Sequence, residues 1–101
     1  MATSRRAVSA SAERVHVGVR RLPHAADLPL PQRASPGSSG CDLRAAIADD
    51  VVLLAGARSL VPTGLVLEIP AGWEGQVRAR SGLALRSGVI VPNAPGTIDS
   101  D

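Results

Sequence analysis

An all-β sandwich or barrel is the fold class that this sequence predicts. Two features carry that expectation. Short apolar runs recur at residues 41–47, 51–54, 59–61, 65–69, 76–79 and 89–91, and Gly or Pro punctuates nearly every gap between them. Ahead of them, residues 13–20 alternate: Val15, Val17 and Val19 point one way, His16, Gly18 and Arg20 the other. That period of two is the mark of a half-buried strand.

The first twelve residues are mostly Ala, Ser and Arg with no acid before Glu13. The composition has a flavour of a transit peptide, but it lacks an amphipathic Leu pattern. It reads as a disordered tail, residues 1–12, ahead of a β domain over 13–101. Residues 22–40 hold Pro23, Pro29, Pro31 and Pro36 and then a Gly/Ser stretch, which predicts an extended connector. A short helix over residues 81–87 is the one candidate helix. Trp73 is expected to pack within the turn of residues 70–75.

At 101 residues the chain is one domain at most, with a small core. Trp73 is its only aromatic residue, so that core must be Val, Leu, Ile and Ala. All eleven basic side chains other than His are Arg, and the net charge is only +2. With neither a basic run nor an aromatic stacking platform, nucleic acid is not the expected partner. No apolar run approaches the roughly 20 residues of a membrane-spanning helix, so no membrane partner is expected. Cys41 stands alone, which excludes an internal disulfide and fits a reduced, cytosolic compartment. Cys41 itself reads as a small core residue.

Arg80-Ser81-Gly82 follows the 76–79 run. Arg offers a planar fork of donors for phosphate oxygens, and a Ser hydroxyl beside Gly can approach them closely. Arg78 and Arg86 flank the tripeptide and add positive potential. Taken alone, it reads better as a turn with a solvated Arg, and it is not a P-loop, since the Lys and Gly run are absent. Gly96-Thr97-Ile98-Asp99-Ser100-Asp101 sets two carboxylates at i and i+2, on one face of an extended chain. Paired acids suit general-base chemistry, and taken alone they suit a solvated turn as well. Asp42 could hold a hydrated Mg²⁺ near phosphates or close a turn. Asn93, between Pro92 and Ala94-Pro95, could read a pyrimidine edge with its amide or simply form the bend. His16 and His24 have no partner at metal-ligand spacing.

The motifs together say more than each alone. Gly40-Cys41-Asp42-Leu43-Arg44-Ala45, Arg80-Ser81-Gly82-Leu83-Ala84 and Gly96-Thr97-Ile98-Asp99-Ser100-Asp101, in that order, resemble the first three of the five motifs of the trimeric deoxyuridine triphosphatases (dUTPases). Pro62-Thr63-Gly64-Leu65 and Asn93-Ala94-Pro95 are similar to that family too. The resemblance runs from about Val15 to the last residue. It implies a jelly-roll-like β-barrel, a homotrimer with shared sites, and Mg²⁺-dependent hydrolysis of dUTP to dUMP and pyrophosphate. Carried onto this sequence, it implies that Asp42 holds the Mg²⁺ water shell and that Arg80, Ser81 and Gly82 contact phosphate. It implies that Asn93 reads uracil and that Thr97, Ile98 and Asp99 contact substrate, with Asp99 orienting the attacking water.

The family's third motif runs on into a Tyr beneath the sugar, and this chain has no Tyr. The fourth motif and the Gly-rich arm are likewise not in this sequence. On the resemblance the barrel is therefore expected to be incomplete at the C-terminus. Two other readings stand beside a dUTP diphosphatase. One is a non-catalytic relative that binds nucleotide or co-assembles; the other is a dCTP deaminase, which shares the barrel.

Overall fold

The computed structural model describes residues 14–101. The tail expected over 1–12 lies outside them. The fold is all-β: among the described residues four short strands pair as antiparallel ribbons, with one α-helix and one 3-10 turn between them. In chain order these are β1 (Gly18–Arg21), the 3-10 turn Pro23–Ala25, β2 (Leu65–Glu68), β3 (Gly75–Val77), α1 (Ser81–Ser87) and β4 (Gly96–Ile98). They belong to two compact units, Gly18–Glu68 and a second made of residues 14–17 with Ile69–Asp101.

In the first unit β1 pairs with β2, setting Val19 opposite Leu67 and Arg21 opposite Leu65. The strand expected over 13–20 thus pairs only from Gly18 onward among the described residues. Its core gathers around Gly64. That residue has φ +65°, a left-handed conformation that glycine adopts without steric cost. A β-carbon there would fall on the Ala25 methyl and stand 3.1 Å from Ala46 Cβ and 3.2 Å from His24 Nε2. Ala25 and Ala46 are buried. Leu22 donates its N–H to the Gly64 carbonyl at 2.7 Å, and Ala46 donates to the Pro62 carbonyl at 2.8 Å. Small residues meet here because the backbones approach too closely for larger ones.

In the second unit β3 pairs with β4: Gly75 opposite Ile98, Gln76 opposite Thr97, Val77 opposite Gly96. Ile69 is its buried apolar residue. A turn precedes β3, closed by Trp73 N–H donating to the Pro70 carbonyl at 3.1 Å. The Trp73 side chain does not pack there as expected; it is 48% exposed.

Several expected strands are not paired. Residues 41–47, 51–54, 59–61 and 89–91 carry no ladder among the described residues. A strand needs a neighbour to take its backbone groups and cover its apolar face; apart from buried Ala46, whose N–H reaches the Pro62 carbonyl, these runs form no cross-strand pairing among the described residues, and Val52 is 81% exposed and Leu60 99%. The barrel is accordingly not closed. Cys41, expected in the core, is exposed for the same reason.

Candidate functional site

The second unit positions seven of the eight expected site residues. Arg80, extended at φ −76° and ψ 126°, is the residue from which α1 starts. Its carbonyl accepts the Ala84 N–H at 2.9 Å. Ser81 and Gly82 form the first turn of α1, so their own N–H groups are not used by the helix. The helix expected over 81–87 is present. Leu83, Ala84 and Leu85 favour it. It ends at Gly88, whose φ of +66° turns the chain and whose N–H donates to the Ala84 carbonyl at 3.0 Å.

The chain then bends toward β4. Ala94 donates its N–H to the Val91 carbonyl at 3.0 Å, and the Ala94–Pro95 peptide is cis. The bend lays the Asn93 amide over Gly96: a β-carbon on Gly96 would stand 3.4 Å from Nδ2 and 3.7 Å from Oδ1. Asn93 remains exposed while Gly96 is buried. The Asn93 amide therefore lies beside the start of β4.

Strand β4 divides its residues between two faces. Ile98 turns inward over Gly75. Thr97 is exposed, opposite Gln76. Asp99 follows directly after the strand and is also exposed. Gln76 is itself held: its Oε1 accepts from Arg78 Nη2 at 2.7 Å. That pair was not singled out from the sequence, although residues two apart on a strand share a face. Arg86 was named only as a flanking charge, and its placement over Gly82 is legible from a spacing of four on a helix.

Asp42 lies in the other unit, exposed, in the segment that follows Gly40. Its carboxylate suits a hard cation. No group of three or more His, Cys, Asp or Glu side chains is gathered for a metal among the described residues. The Asp42 carboxylate is an oxygen donor of the kind that Mg²⁺ takes, an ion commonly bound through one or two carboxylates plus substrate phosphates. No described helix is long and apolar enough to cross a membrane.

Comparison with known proteins gives a consistent result. A family model for dUTPase matches residues 26–101. A deoxyuridine 5'-triphosphate nucleotidohydrolase of Mesorhizobium japonicum is 63% identical over 87 residues, 84% of this chain and 54% of the relative. One from Aquifex aeolicus is 60% identical over 88 residues, covering 87% of this chain and 59% of the relative. One from Brucella melitensis is 56% identical over 95 residues, covering 92% and 60%. The chain thus spans somewhat over half the length of these relatives.

Proposed function

The chain belongs to the dUTPase family, and from that premise we propose that residues 13–101 are a dUTPase-like domain whose activity is Mg²⁺-dependent hydrolysis of dUTP to dUMP and pyrophosphate. The observation that carries this reading is the second unit's arrangement: Arg80, Ser81 and Gly82 at the start of α1, the Asn93 amide seated on Gly96, and Thr97-Ile98-Asp99 on β4 and just beyond.

Each residue has a task suited to its chemistry. The Arg80 guanidinium and the Ser81 hydroxyl would donate to phosphate oxygens, with the Ser81 and Gly82 N–H groups beside them. The Asn93 amide carries both a donor and an acceptor, the pair needed to read the uracil edge. Thr97 would contact the nucleotide from the exposed face of β4. Asp99 would accept a proton from water and orient it for in-line attack at the α-phosphorus. Asp42 would hold Mg²⁺ through its bound water, and the ion, when bound, would neutralise triphosphate charge.

A homotrimer belongs to the same proposal. Apolar side chains such as Leu54, Leu60 and Ile90 are exposed on the single chain, and association with further copies would remove such surface from water. A cytoplasmic location follows the same reading.

The test is pyrophosphate release from dUTP with and without Mg²⁺, with dCTP alongside. Release from dUTP that needs Mg²⁺ supports the proposal. Deamination of dCTP would replace it with the related deaminase chemistry.

A further inference from the structure

Gly82 is not glycine because of its backbone angle. Its φ is not positive, and it lies within the first turn of a regular helix, where glycine costs up to about 1 kcal/mol relative to alanine. The space beside its Cα is filled by Arg86. A β-carbon at 82 would stand 3.1 Å from both Nη1 and Nη2 of Arg86 and 3.3 Å from its Cζ. The two residues are four apart and share a helix face. Arg86 thus runs back toward Arg80 and Ser81, away from the last carbonyls of α1, where a cation is favoured. Among the described residues, no hydrogen bond or ion pair holds its guanidinium there.

We propose that Arg86 is a second guanidinium of the phosphate site, binding the polyphosphate tail beside Arg80. The inference rests on the reading of Arg80-Ser81-Gly82 as phosphate contacts. A triphosphate presents more acceptor oxygens than one guanidinium can engage, and a second planar fork suits the remainder. The ligand feature recognised is the phosphate chain, with neither base nor sugar involved.

Calorimetric titration tests this on the full chain, using dUMP and a dUTP analogue with an imido bridge between the α- and β-phosphorus, both with Mg²⁺. The wild type should prefer the triphosphate. Arg86→Gln should weaken triphosphate binding about tenfold or more, the scale of a lost charge-assisted hydrogen bond, and leave dUMP binding unchanged. Arg86→Lys should recover part of the loss. Triphosphate binding by Arg86→Gln equal to wild type, where the wild type prefers triphosphate and Arg80→Ala abolishes that preference, would overturn the role of Arg86 alone. A wild type with no preference for triphosphate would overturn the phosphate reading and this inference with it.

Discussion

Ile98 lies across Gly75. They are direct partners in the β3–β4 ladder, and a β-carbon on Gly75 would stand 3.2 Å from Ile98 Cβ and 3.4 Å from its Cδ1. Ile69 Cδ1, from a buried residue, lies 3.5 Å from the same point. This contact seats the strand that leads into Asp99. Inward packing of Ile98 leaves Thr97 on the exposed face.

Gly75→Ala should therefore destabilise the second unit. Ile98 Cβ is bonded to the backbone and can move away only if the strand moves. The expected cost is about 1–3 kcal/mol, read as a lowered urea midpoint. Gly96→Ala is the control, because its nearest neighbours would be at ordinary contact distances of 3.4 and 3.6 Å. It should cost clearly less.

Gly64→Ala should be the more damaging glycine substitution. It combines a left-handed backbone angle with a β-carbon driven into Ala25. Strain and overpacking together are expected to cost about 2–5 kcal/mol. Loss of amide-exchange protection at the Leu22 and Ala46 N–H groups would report it directly. Unchanged protection would refute the packing described around Gly64.

Asp99→Asn should reduce dUTP turnover at least ~10²-fold, the scale of a lost general base. Because Asp99 is exposed, the thermal midpoint should barely change. Near-normal turnover in this variant would remove Asp99 from its proposed role.

Asp42→Asn should raise the Mg²⁺ concentration needed for half-maximal activity by about 10- to 100-fold, the usual range for losing an outer-shell partner of a metal. Titration with Mg²⁺ at saturating dUTP measures it. An unshifted requirement would take the ion away from Asp42.

The sedimenting mass should be three times the 10.3 kDa of the single chain. Sedimentation equilibrium over a range of concentrations reads this directly. A monomer at all concentrations would contradict the trimer.

Local chemistry was well signalled in the sequence. Pro70 to Gly75 marked a turn, residues 81–87 a helix, and Asn93 a bend, and each is where the sequence set it. The resemblance of three ordered motifs pointed to the family. What the sequence could not fix was pairing. Residues 51–54 and 59–61 look like strands by composition, yet pairing depends on partners that apolar periodicity does not name. Cys41 failed as a core residue for the same reason: hydrophobicity states a preference for burial, while exposure depends on which elements come to cover a residue.

The most direct test of the central claim is pyrophosphate release from dUTP by the purified chain in the presence of Mg²⁺, with dCTP, dTTP and UTP in parallel. Release from dUTP that exceeds the others and stops on chelation of the metal is the expected result. A chain that is demonstrably folded and releases no pyrophosphate from dUTP, or releases it equally from dCTP, would contradict the proposed activity.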